Sequence, residues 1–279
     1  MALNHLVPRK YLEGFETELD SGLVWQFDKS AGAWSRKPLP AATVGARNDY
    51  YTDNDESALA EIIEGPAHPH IQRVRSGGDI TPEARRHMAA YLACQMSRVE
   101  NWRAKARSVY AGEWRKVIQK WRTILPVAGR ADLIPELEEI AEKWRERMPP
   151  ETEAIAFSPA YMLRHVKVLL DIRMRWRVVE NLRADFVTSD NPVVFNEELG
   201  IGRPESEIAW TLSPRIALYL SRADGVFKNP RNRIRPHLAT TLNHWVVGTA
   251  DRFIFAHRPK EWIRRKCGSP SRLRQPPSR

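Results

Sequence analysis

The sequence predicts an α+β fold in which a helical middle packs on a sheet built from the N- and C-terminal segments. Three observations predict it. Apolar residues recur at helical spacing from about residue 82 to about 181. After Asn181 the period drops toward two, as in Ile216-Ala217-Leu218-Tyr219-Leu220. At the front of the chain, Leu23-Val24-Trp25-Gln26-Phe27-Asp28 alternates in the same way.

The elements follow in order. Val7 before Pro8 is biased to extended backbone, and Pro8 can open a short helix carrying Tyr11, Leu12 and Phe15 on one side. The strand at Leu23–Asp28 is expected to form a hairpin with Ala33-Trp34 across Lys29–Gly32. An irregular segment, Pro38 to Gly45, leads to a short extended piece from Asn48 to Thr52. Ser57 to Val74 reads as a helix interrupted near Gly65-Pro66. Thr81-Pro82-Glu83 is a helix start, with Thr as N-cap and Pro at the first helical position. Its pattern runs over about 82–125, a helix of about 65 Å at 1.5 Å per residue, with a kink expected near Gly112. Further helices are expected over about 132–147 and about 158–181. Strands are then expected at Phe186-Val187, Val193–Phe195, Ile208–Leu212 and Ile216–Leu220, with a turn at Ser213-Pro214-Arg215 between the last two. Pro236 to Val247 reads as a helix and Phe253–Ala256 as a final strand.

With 279 residues, 42% hydrophobic and 28% charged, the chain falls among globular proteins able to bury a sizeable core, and ten Trp residues reinforce this. The expected organisation is one α+β domain over 1–263 and a basic, disordered tail over 264–279. The formal charge is +10, and Arg264, Arg265, Lys266, Arg272, Arg274 and Arg279 place six cations in that tail. A basic tail can bind a polyanion by counterion release, or serve only as a solvated end. Cys94 and Cys267 show no disulfide framework and no zinc spacing, which fits a reducing cytoplasm. No secretory leader and no apolar run long enough to span a membrane are found.

Two constellations stand out. At 100° per residue, His87, Tyr91, Gln95, Arg98 and Trp102 fall within about 80° of one another beside the apolar face of Met88, Leu92, Met96 and Val99. As a site wall, Arg98 would bind an anion, Gln95 orient it and His87 move a proton; as an ordinary helix, this is the polar flank of a core face. Trp-Arg pairs occur five times, at Trp102, Trp114, Trp121, Trp144 and Trp176. Such pairs can stack on bases and neutralise phosphates, or place Trp at the core edge while Arg snorkels outward. His68 and His70, two apart across Pro69, are poorly spaced as ligands on one helix face. No HExxH, Walker loop, GxGxxG or GxSxG is present, so a divalent metal would have to be assembled from distant residues such as His5, Glu64 and Asp190.

The turn Ser189-Asp190-Asn191-Pro192 between two apolar runs can hold a carboxylate and an amide rigidly at a strand end. Taken with the opening His5-Leu6-Val7-Pro8 and Tyr11-Leu12, Asp49-Tyr50-Tyr51, Glu64 ahead of Ala67, Gln95 to Arg98, Thr188–Val193 and Leu212-Ser213-Pro214, it makes the chain resemble the family catalogued as domain of unknown function 4238. The resemblance covers roughly residues 4 to 256 and brings no established activity. It implies that His5, Gln95, Arg98, Asp190 and Asn191 recur together.

The functional expectation is a nucleic-acid-directed, nuclease-like hydrolase. Its catalytic set would be His5, Gln95, Arg98, Asp190 and Asn191, with binding contacts from Glu64, Tyr91, Trp102, Arg264, Arg265 and Lys266. A His, a carboxylate and an Arg suffice for acid–base cleavage of a phosphodiester. The alternative is a non-catalytic nucleic-acid or protein-binding module in which the polar set is structural.

Overall fold

The structure is a computed structural model that describes residues 3–48, 57–99, 116, 118–143, 159–196, 199–223 and 227–267. Its contacts divide the chain into two units, Met1–Met96 with His165–Arg279, and Ser97–Arg164. The fold is α+β.

In the first unit, β1 (Leu3–His5) leads into a one-turn helix α1 (Arg9–Leu12). Strand β2 (Leu23–Asp28) forms the expected hairpin with β3 (Ala33–Trp34), in register Phe27 to Trp34. Asp28 caps its turn by accepting the Ser30 backbone N–H at 2.8 Å. Strand β4 (Leu39–Pro40) pairs with the start of β2, and β5 (Ala46–Asn48) with β1. Helix α2 (Gly65–Arg75) is preceded by a π-helical turn, Ala60–Glu64. The expected interruption near Gly65-Pro66 is therefore a widened turn, not a break. Pro66 lacks an N–H and its ring would crowd the carbonyl four residues back, and the wider turn accommodates both defects. At Gly65 a Cβ would stand 3.2 Å from the Ala60 carbonyl oxygen, a tight contact that glycine avoids.

Helix α3 (Pro82–Arg98) starts as read, with the Ala84 N–H donating to Thr81 Oγ1 at 3.1 Å. It stops at Arg98, and Val99 is a bend. Residues 118–127 are again helical, while the expected kink at Gly112 lies outside the described residues. In the second unit this stretch buries Ile118 and Leu125 and is followed by α4 (Ile134–Lys143), with Arg122 paired to Glu138 at 2.9 Å. The remainder of the expected 132–147 helix, beyond Lys143, lies outside the described residues.

The helix expected over 158–181 is shorter. Helix α5 (Pro159–Leu170) ends at a turn, and Arg175–Glu180 is strand β6. Asp171 accepts the Arg173 backbone N–H at 2.9 Å and closes that turn. Met174 and Val178 continue the helical spacing on paper, but Arg175–Glu180 has ladder partners on both sides. Strand pairing outweighs a periodicity that only two residues sustain.

The remaining strands are β7 (Thr188–Ser189), β8 (Val193–Phe195), β9 (Glu207–Thr211), β10 (Ile216–Ser221), β11 (Arg231–Arg233) and β12 (Phe253–Ala256); helices α6 (Pro236–Thr249) and α7 (Glu261–Cys267) flank β12. The strand expected at Phe186-Val187 begins two residues later, at Thr188. In its place the side chain of Asn243 on α6 bonds the backbone, accepting from Val187 N–H at 3.0 Å and donating to the Asp185 carbonyl at 2.8 Å.

One five-stranded sheet has the order β11-β6-β10-β9-β8, antiparallel except for β11 beside β6. Its central strand β10 is buried at every residue. Ile216, Leu218 and Leu220 join a core with α1, α2 and α3; Ala217 and Tyr219 join a second core with α6. A strand buried on both faces is the middle layer of a sandwich. The second sheet, β3-β2-β12-β7 with β4 beside β2, joins front and back of the chain, with Phe27 opposite Ile254. Phe27, Ile254 and Ala256 face the same core as α6.

The expected boundary between domain and tail, after residue 263, falls inside α7, which runs to Cys267 and buries Ile263. Residues beyond Cys267 lie outside the described set. No helix among the described residues is long and apolar enough to cross a membrane. Neither cysteine forms a disulfide.

Candidate functional site

The Ser189–Pro192 turn sits where β7 meets the connection from α6 to β12. Its own geometry is closed by Ser189, whose Oγ accepts the Asn191 N–H at 3.2 Å and donates to the Asn191 carbonyl at 2.8 Å. The Asp190 carboxylate accepts three backbone N–H bonds, from Asp251 at 2.9 Å, Arg252 at 2.7 Å and Phe253 at 2.8 Å. Asn191 donates to the Thr249 carbonyl at 3.2 Å. Together they clip the turn onto the last residue of α6 and the first of β12. Burial pushes the Asp190 carboxyl up to about 6, against the pull of the three amides, and Asp251 adds to the rise.

His5 and Gln95 belong to another knot. The His5 ring bonds the Ala42 carbonyl at 3.0 Å, and Gln95 donates to the Leu6 carbonyl at 2.7 Å. Gln95 is buried and holds the opening segment against α3. So Asp190 and Asn191 come together, and Gln95 meets the residue next to His5, but the Asp190 carboxylate is bonded to backbone amides rather than to His5 or Arg98. Arg98 is buried and belongs to the second unit.

The expected binding residues are dispersed. Tyr91 is buried, stacked on Trp210 at 5.3 Å, and Trp210 stacks in turn on Tyr11 at 5.7 Å. Glu64 and Tyr91 line a crevice with Pro8, Lys10 and His68 of about 10 Å³, room for no more than one water. Arg264, Arg265 and Lys266 are exposed on the last turn of α7. Trp102 lies outside the described residues.

The opening motif is anchored by Tyr11. Its hydroxyl donates to the Thr211 carbonyl at 2.5 Å and meets Thr188 Oγ1 at 2.7 Å. Burial pushes this phenol up to about 12, so it stays neutral. Arg75 donates to the Tyr11 and Leu212 carbonyls, each at 2.7 Å, and its guanidinium lies over Gly14, where a Cβ would sit 2.2 Å from Nη2. The three sequence motifs HLVPRKYL, TSDNPV and LSP thus share one hydrogen-bonded neighbourhood.

Two clusters escaped sequence reasoning. The Asp185 side chain is buried and draws four basic groups: Arg258 Nε at 2.9 Å, Lys260 Nζ in contact, and Arg215 Nη1 and His257 Nε2 each at 3.7 Å. Burial opposes the carboxylate's charge, yet Lys260 and Arg258 outweigh it and hold its pKa below the ordinary value. Burial lowers His257, and the neighbouring cations help, so it stands neutral at pH 7. Three cations therefore surround one anion. Arg215 and Arg258 are 51% and 61% exposed, so both also face solvent. The run His257-Arg258-Pro259-Lys260 was visible in the sequence, but its pairing with Asp185, over seventy residues earlier, was not.

The second cluster is His70 on α2 with Glu83 and His87 on α3, whose ligand atoms all lie within 4.8 Å of one another. His68, two residues away and poorly spaced for it, is not part of this group; the neighbours of His70 come from the next helix.

This geometry defines an α+β protein whose N-terminal motif, Ser-Asp-Asn-Pro turn and C-terminal strand are tied together by buried polar side chains. The chain belongs to the family described as protein of unknown function (DUF4238), whose model matches residues 4–260. No curated protein and no solved structure matches it.

Proposed function

We propose that the protein binds nucleic acid through the cationic face around Asp185, and that His5, Gln95, Asp190 and Asn191 support the fold. The observation that carries this reading is the charge imbalance at Asp185. A buried carboxylate pre-positions Arg258 and Lys260 beside Arg215, and the surplus cations face water. Guanidinium groups held in place lose less freedom on meeting a phosphate than free side chains do. Arg264, Arg265 and Lys266 follow on α7 and extend the same basic run. Phosphate contacts of this kind give affinity without sequence preference.

The test is fluorescence anisotropy with single-stranded and duplex oligonucleotides across a salt series. Binding should weaken steeply with salt, and Arg215→Ala and Arg258→Ala should each flatten the log–log slope by about 0.7–0.9. Absence of binding at low salt, or unchanged slopes in both variants, refutes it.

A hydrolytic reading rests on a different observation, the rise of the Asp190 carboxyl to about 6, within reach of general acid–base work. It requires cleavage of RNA or DNA that is lost in both Asp190→Asn and His5→Ala while the fold is retained. Binding without cleavage supports the non-catalytic module.

A further inference from the structure

We propose that His70, Glu83 and His87 form a binding site for a transition-metal ion of the zinc class, linking α2 to α3. Glu83 and His87 are four residues apart on α3 and so share one helix face. His70 reaches them from α2, and one ligand atom from each of the three lies within 4.8 Å of the other two. The two imidazoles stand parallel, with centroids 5.2 Å apart and planes at 12°. Ligand atoms around a tetrahedral ion with bonds of 2.0–2.1 Å are about 3.3 Å apart. The remaining difference, at most about 1.5 Å, is on the scale of side-chain rotation rather than helix movement.

A second observation singles out this trio. No hydrogen bond or ion pair is made by any of the three side chains among the described residues, whereas Arg75 on α2 and Arg85 and Gln95 on α3 donate to backbone carbonyls. Two imidazoles and a carboxylate therefore converge with no hydrogen bond or ion pair to any other described residue. Both rings are half-buried and Glu83 is exposed, so an ion can enter from solvent. Imidazole ligands select zinc, nickel, iron or copper over magnesium and calcium, which take oxygen. Three protein ligands leave one tetrahedral position for water. The bound ion would close the loop between the helices, residues 76–81, and stabilise the folded chain by mass action.

The experiment is a titration of the full chain, stripped with chelator, with zinc chloride alone, followed by calorimetry and by melting temperature. One equivalent should bind, the melting temperature should rise with zinc, and millimolar magnesium should not compete. His70→Ala and His87→Ala should each weaken zinc binding by at least about tenfold. Their metal-free melting temperatures should stay near that of the wild type, since among the described residues these rings touch each other but make no hydrogen bond or ion pair. Cobalt(II) should give a visible ligand-field spectrum in the wild type that both variants lose. Failure to bind one equivalent, or unchanged affinity in the His70→Ala/His87→Ala double variant, overturns the proposal. No nucleic acid enters the measurement, so the result is independent of the binding reading above.

Discussion

Replacing Asp190 separates a structural carboxylate from a catalytic one. Its two oxygens serve three backbone N–H groups at the entry to β12. Asp190→Ala leaves all three without an acceptor. A buried donor without its partner costs about 1–3 kcal/mol, so the low end of that range, times three, gives about 3 kcal/mol. For a chain of this size that lowers the melting temperature by about 6–12 °C. Asp190→Asn keeps one oxygen and should cost less. The pH dependence adds a second signature. The folded carboxyl is raised from 3.8 to about 6, so the native state holds the proton more tightly than the unfolded chain. Its contribution is fully present below about pH 4 and is lost as pH rises through 6, amounting to about 3 kcal/mol at 1.36 kcal/mol per unit. Asparagine does not titrate. The stability of the wild type relative to Asp190→Asn, measured by urea unfolding, should therefore fall by about 2 kcal/mol between pH 4 and pH 7. An Asp190→Ala variant within about 0.5 kcal/mol of wild type, or a gap that does not change with pH, refutes the reasoning.

Tyr11→Phe keeps the stacking on Trp210 but strands the Thr211 carbonyl and the Thr188 hydroxyl, and should cost about 1–3 kcal/mol in urea unfolding. In the wild type the Tyr11 phenolate should not form below about pH 11 in a spectrophotometric titration, because its pKa stands at about 12. Gly14→Ala places a Cβ 2.2 Å from Arg75 Nη2 and 2.5 Å from the Leu212 carbonyl oxygen, which breaks the Arg75 bonds to backbone. It should destabilise by about 2–4 kcal/mol, and Arg75→Ala in the same background should add little further loss.

Much of the fold was legible locally. The Thr81-Pro82 start, the β2–β3 hairpin and the alternation of β10 each depend on neighbours in sequence, and each formed where read. Arg175–Glu180 reads as helix in the sequence because its strand partners, β10 and β11, come 36 or more residues later. The candidate site divides in the same way. The Ser-Asp-Asn-Pro turn was recognisable from residue chemistry, and so was its rigid hold on a carboxylate. What that carboxylate holds was not, because residues 251–253 approach it through β12 pairing with β7. His70 could not be matched to Glu83 and His87, since only the packing of α2 beside α3 brings them within reach. Nor did the run from His257 to Lys260 reveal that a buried Asp185 gathers it.

The sequence by itself determined the α+β class, the family, the helix starts and the residues able to form polar knots, because side-chain period and turn chemistry act over a few residues. Tertiary structure decided which of those residues meet. Asp190 bonds backbone amides, Gln95 bonds the Leu6 carbonyl, Asp185 collects the cations, and His70 faces α3. Each of these contacts spans more than ten residues of chain, and only burial of the two cores pays the entropy of bringing such distant groups together.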